Sequence, residues 1–136
     1  MSTLQLKIVT PEKEVFSDLV NQVSLPSSEG ELGILPHHAA LMAKLVPGEL
    51  KIKRGDKTDV LAVGGGFLQM ADNTLTIMTD LAVEEKDIDE EVVEEAKKRA
   101  EQALEQTLSA EEYAETLAIL EKSLAQLKIK RRHRVR

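Results

Sequence analysis

The feature that most constrains this chain is a change of grammar at Val83. Glycine and proline, seven and four in number, are confined to the residues before it, and none follows. Ahead of Val83 apolar residues recur at every second position: Leu4, Leu6 and Ile8 alternate with Gln5 and Lys7, Leu50 and Ile52 with Lys51 and Lys53, and Leu75 and Ile77 with Thr74 and Thr76. That is the period of strands buried on one face. Turn-forming stretches such as "TPEKE", "LPSSEG", "VPGE", "KRGDKT" and "ADNT" interrupt it at short intervals. Eight to ten short strands follow from this spacing, and an antiparallel β-sandwich or flattened barrel is the natural way for them to share one core.

Beyond Val83 the chain fills with Glu, Ala, Lys, Leu and Gln, all good helix formers. Asp87 stands where an N-cap is expected, and Ile88, Val92, Ala96, Ala100 and Ala103 mark one apolar stripe. Ser109 and Glu112 form a capping-box pattern for a second helix, with the first ending near Thr107 and Leu108. Tyr113, Leu117, Leu120, Leu124 and Leu127 then form a heptad-like seam. The expected architecture is α+β: a sandwich over residues 1–84 and an antiparallel two-helix hairpin with a basic tail over residues 85–136. A hairpin this small, with alanine dominating its first stripe, needs a surface to lean on.

A chain of 136 residues fits one ordinary domain, or a small domain with an appendage. No apolar stretch approaches the ~18 residues of a spanning helix. The N-terminus has no targeting pattern, and cysteine is absent, which excludes disulfides, thiolate metal sites and a cysteine nucleophile. A reducing cytosolic setting is expected. Formal charge is -6, but residues 128–136 carry six of the 18 Lys and Arg and no acid. An acidic body therefore ends in a basic tail.

Three motifs could carry chemistry. In "GELGILPHHAAL", residues 30–41, the adjacent His37 and His38 lack the companion ligands of a metal site, and local hydrogen bonding or partner contact suits them better. The "VGGGF" run, residues 63–67, lacks the spacing and the following helix of a phosphate loop; a bulge or close backbone approach explains its glycines. The carboxylates Glu84, Glu85, Asp87, Asp89, Glu90 and Glu91 crowd a solvated helix start, with no pocket to separate an acid from a base. No catalytic constellation is present, and neither a cofactor nor a metal is implied. The basic tail leaves one alternative, a nucleic-acid-binding module acting through phosphate neutralisation, although with only Phe16, Phe67 and Tyr113 in the chain stacking has little to work with.

Taken in order, "GELGILPHHAAL", "LAVGGGFLQM" and "ADNTLTIMTDLAV" running into "KDIDEEVVEEAKKRAEQAL" resemble the epsilon subunit of bacterial and chloroplast F-type ATP synthases over essentially the whole chain. The resemblance implies a non-catalytic rotor subunit. Its partners would be the gamma subunit, the ring of c subunits, and the catalytic beta and alpha subunits, with no nucleic acid among them. It also implies a peripheral position on the cytoplasmic face of the plasma membrane, or the stromal face of the thylakoid in a plastid, with membrane association only through the complex. Glu31 and His38 are carried over as contacts to c-ring and gamma. Lys128, Lys130, Arg131, Arg132, Arg134 and Arg136 become an inhibitory tail that restrains ATP hydrolysis. Some relatives bind ATP at the start of the first helix, and here Ile88 and Asp89 match that motif. Val92 and Val93 replace its Arg and Ala, so ATP binding is expected to be weak or absent.

Overall fold

The computed structural model describes residues 2–134, with side chains through Arg132. Ten strands come first: β1 (Leu4–Val9), β2 (Glu14–Val20), β3 (Gln22–Ser27), β4 (Gly30–Ile34), β5 (Leu41–Leu45), β6 (Gly48–Arg54), β7 (Lys57–Val63), β8 (Gly66–Ala71), β9 (Thr74–Thr79) and β10 (Ala82–Glu84). A 3-10 turn at Glu85–Asp87 leads to helices α1 (Glu90–Leu104) and α2 (Ala110–Arg134).

The strands lie in the order β10-β7-β6-β3-β5-β8-β9-β1-β2, with β4 beside β3. Among the described residues a single pairing, Ser27 with Leu45, joins β3 to β5, and there the sheet folds over into two layers. Every ladder is antiparallel except that of β1 with β9, whose pairs, such as Leu6 with Leu75, run parallel. At the far edge Arg54 ties β2 back to β6 and β7. Its guanidinium donates to Asp18 Oδ2 at 2.9 Å and to Asp59 Oδ2 at 2.7 Å, and lies 5.2 Å from the Phe16 ring centroid. The Leu19 amide and Arg54 hold the Asp18 carboxyl below its ordinary range.

The alternating residues form the core as expected: Leu4, Leu6, Ile8, Leu50, Ile52, Leu75 and Ile77 are fully buried. β7 breaks the alternation, because Leu61, Ala62 and Val63 are all buried. Its outer face is covered by α2. There Ala62, Ile88, Val93, Leu127 and Ile129 form a second apolar cluster with Val60 and Val83 packed against it. The hairpin leans on its own sandwich in this structure.

Four details of the helices differ from the sequence reading. The N-cap of α1 is Asp89, whose carboxylate accepts from the Glu91 and Val92 amides at 3.1 and 3.3 Å; Asp87 belongs to the preceding turn. With Ile88 outside the helix, the stripe no longer counts from it, so Val93 is buried and Val92 is 61% exposed. In α2, Tyr113 and Leu124 are about half exposed, while Ser123 is buried. A helix wedged between α1 and a sheet buries two faces rather than one seam, and Ser123 tolerates this because its hydroxyl donates to the Ile119 carbonyl at 2.9 Å. α1 also ends earlier than Thr107, at Leu104.

Candidate functional site

Two outward faces of the sandwich behave differently. On the β6–β7 face α2 is docked, held by the apolar cluster and by charges at its rim. On the opposite sheet no helix among the described residues packs over β5, β8 and β9. Inward Leu68, Met70 and Ile77 alternate there with outward Phe67 and Met78, which are 60% and 47% exposed and face each other directly across the β8–β9 ladder. Met42 on β5, opposite Gln69 and diagonal to Phe67, extends the strip and is 77% exposed. Val9 pairs with Met78 from the other side. An exposed apolar strip on a sheet face is the chemistry of a protein contact rather than of a reaction.

This strip carries a sequence signal that periodicity alone passes over. Adjacent apolar pairs such as Leu41–Met42, Phe67–Leu68 and Ile77–Met78 force one member outward in any strand with a single buried face. In β7 the run Val60–Val63 means a covered outer face; in β8 and β9 the same local pattern leaves apolar residues bare.

The two residues carried over as partner contacts lie at opposite ends of β4. Glu31, exposed and paired in register with Pro26, sits on the rim of a groove of about 400 Å³ that also holds Glu49, Lys51, Lys128 and Arg132. Thus Glu31 shares a surface with two members of the basic tail. His38 lies beyond the other end of the strand, in a turn. Its amide donates to the Leu35 carbonyl at 3.1 Å, and its Nδ1 lies 2.8 Å from the Ala39 carbonyl oxygen. His37 takes a left-handed φ of 64°, and its amide donates to Asn73 Oδ1 at 2.8 Å.

The tail residues are spread around the docked helix. Arg131 reaches back to α1, with Nε 3.6 Å from Glu90 Oε1 and a guanidinium nitrogen 2.7 Å from Glu94 Oε2. Arg132 pairs with Glu49 on the sandwich, and Lys130 Nζ donates to the Glu85 carbonyl at 3.4 Å. Lys128 is exposed at the groove. The Arg134 side chain and all of Arg136 lie outside the described residues. Tail cations engaged by the chain's own carboxylates give the nucleic-acid alternative no support.

Ile88 is buried in the second cluster and Asp89 is committed to capping α1. The hollow beside them, lined by Glu90, Glu91, Glu94, Glu95, Lys98 and Arg131, sets four carboxylates against two cations. Of the neighbouring basic residues, Arg99 pairs with Glu95 at 2.6 Å and holds that carboxyl below its ordinary range, while Lys97 lies 3.9 Å from Glu94. No helix among the described residues is long and apolar enough to cross a membrane.

The class defined by these features is a β-sandwich platform with one bare apolar face and a two-helix arm docked on the other. Residues 3–85 match the beta-sandwich domain of the ATP synthase delta/epsilon chain, and residues 86–131 match the long alpha-helix domain of the same chain. An ATP synthase epsilon chain of Dehalococcoides mccartyi is 42% identical over 140 residues, covering 98% of this chain and 96% of that one. Another, from Nitrosococcus oceani, is 39% identical over 127 residues, covering 93% and 91%. Among solved structures, a chain of the Euglena gracilis mitochondrial ATP synthase, in an assembly of OSCP, F1 and c-ring, aligns with a TM-score of 0.75 at 25% identity, covering 92% of this chain and 79% of that one. A chain of the Tetrahymena thermophila mitochondrial ATP synthase central stalk and c-ring has the same fold, with a TM-score of 0.64 at 20% identity over 93% and 95% of the two chains. This chain belongs to the delta/epsilon family of ATP synthase subunits, as the resemblance of its glycine motifs implied.

Proposed function

We propose that the chain acts as the non-catalytic epsilon subunit of an F-type ATP synthase rotor, gripping the gamma subunit and the c-ring with residues 1–84 and so coupling proton-driven rotation to ATP synthesis. The observation that carries this reading is the bare strip of Phe67, Met78 and Met42 on the sheet that the hairpin leaves open. A rotor subunit needs a permanent grip, and burying apolar surface supplies it at roughly 25 cal/mol per Å². Co-purification of gamma with the F67E and M78E variants tests it. Loss of gamma by variants that still fold supports the grip, and full retention contradicts it. The position that follows is peripheral, on the cytoplasmic face of a bacterial plasma membrane or the stromal face of a thylakoid.

The hairpin of residues 85–136 is the regulatory part of the proposal. Docked, it keeps Arg132 on Glu49 of the sandwich; released, it offers that cation with the rest of the tail to the catalytic beta and alpha subunits and restrains ATP hydrolysis. Exposed ion pairs contribute only about 0.2–1 kcal/mol each. A handful of them can therefore shift the docked population by one to two powers of ten and no more. Deleting residues 128–136 and measuring hydrolysis by the assembled enzyme tests this. Faster hydrolysis is expected, and an unchanged rate removes the tail from the mechanism.

ATP itself is proposed to bind the hairpin weakly or not at all, because the hollow beside Asp89 is dominated by carboxylates and the motif arginine is Val92. Calorimetric titration with ATP giving micromolar affinity would overturn this.

A further inference from the structure

The members of the run Gly64–Gly66 meet different neighbours. A Cβ on Gly66 would run into the carbonyl oxygen of Met78, which explains that glycine by the close approach of β8 to β9. Gly65 has only ordinary contact with the Leu45 carbonyl at 3.7 Å. Gly64 is buried, and a Cβ there would collide with the Asp80 carboxylate and stand 3.1 Å from Lys122 Cδ and 3.2 Å from Leu81 Cβ. The space vacated by its missing side chain is shared by a carboxylate of the sandwich and a lysine stem of α2.

The carboxylate is held by a well-bonded pair of loops. Gly64 N donates to the Leu81 carbonyl at 3.0 Å, and Asp80 N to the Gly65 carbonyl at 3.4 Å. The buried Thr79 hydroxyl lies 3.0 Å from the Gly65 carbonyl oxygen and 3.1 Å from that of Leu81. Asp80 thus projects from a fixed frame, and its Oδ2 accepts from Lys122 Nζ at 3.1 Å. A second pair, Arg132 with Glu49, joins the same helix to the sandwich ten residues further on, about 15 Å along the axis at 1.5 Å per residue. A helix pinned at two points this far apart cannot slide by one ~5.4 Å turn without breaking both. Arg131 differs, since its partners on α1 travel with the hairpin.

We infer that Gly64, Asp80 and Lys122 form a docking seat that sets the register of α2 on the sandwich. Asp80 is the positioning residue and the bare face of Gly64 is the space that admits the Lys122 stem. The seat deepens the regulatory reading and rests on it only for its consequence in the assembled enzyme. It weights the docked pose, and a variant lacking it releases the hairpin more readily.

Hydrogen exchange on the isolated full-length chain, in the regime that reads opening equilibria, tests the seat because it reports small populations of undocked helix. D80N and K122Q should each speed exchange of the α2 amides by about two- to fivefold, as expected of a partly exposed ion pair. The D80N/K122Q double variant should be no faster than the singles. G64A should have at least the same effect, and amides of β1 and β9 should not change in D80N or K122Q. Unaltered α2 exchange in D80N and K122Q, or effects that multiply in the double variant, would overturn the seat. If G64A disrupts the loops, the two charge variants still decide. Hydrolysis by the assembled enzyme after tail deletion is a separate readout, so the seat and the inhibitory role can fail independently.

Discussion

Ser109 and Glu112 hydrogen-bond each other's backbone at the start of α2: the Glu112 amide donates to Ser109 Oγ at 3.1 Å and the Ser109 amide to Glu112 Oε1 at 3.2 Å. This reciprocal cap fixes where the hairpin turns, because the two amides it satisfies have no partner within the helix. Ser109→Ala should cost about 0.5–2 kcal/mol of helix stability, read as faster amide exchange in the first turn of α2. The bonds from Ser109 hold the Glu112 carboxyl below its ordinary value of 4.5. Since the folded value is the depressed one, the contribution is fully present above the unfolded value and is lost as pH falls through the folded one. Glu112→Gln should remove this acid-side dependence.

Leu124 and Leu127 test how α2 is turned. Both belong to the heptad seam, but Leu127 is 2% exposed and Leu124 46%. Leu127→Ala should cost about 2–5 kcal/mol of docked-hairpin stability, whereas Leu124→Ala should stay within about 1 kcal/mol. Limited proteolysis across residues 105–109, the connection between the helices, separates the two outcomes. Equal sensitivity of the two variants would favour the simple seam.

Gly66→Ala should destabilise the sandwich by about 1–3 kcal/mol, as overpacking does, since the added methyl meets the Met78 carbonyl oxygen. Chemical denaturation should show a lower midpoint. An unchanged midpoint would mean that β8 and β9 can part at no cost.

How far the sequence carries depends on how local the deciding physics is. Alternation such as Leu4-Leu6-Ile8 identified strands and their inward faces, because a side chain's face in a strand is set by its parity alone. The Ser109 and Glu112 cap was legible because three residues suffice to make it. In the α1 stripe Ile88 and Ala100 are buried as expected, but Val93 is buried in place of Val92, and the cap is Asp89 rather than Asp87, because both acids have cap chemistry and the face a helix turns to its neighbours is a tertiary quantity. Leu124 was misread because the angle between α1, α2 and the sandwich is a tertiary quantity. Of the candidate contacts, Glu31 and His38 are close in sequence yet separated by the length of β4, while Lys128 and Arg132, about a hundred residues away, line the groove beside Glu31. Such a juxtaposition comes from folding the hairpin back, which no short motif encodes.

A platform that stays put and an arm that moves can be distinguished by one distance. The chain has no native cysteine, so spin labels placed at Lys57 and Glu115, both exposed, report only the separation of the sandwich and α2. The expected result is a single distance in the isolated chain and, in the assembled ATP synthase, a second distance whose share changes with nucleotide and driving force. One unchanging distance in the working enzyme under every condition would contradict a regulatory arm.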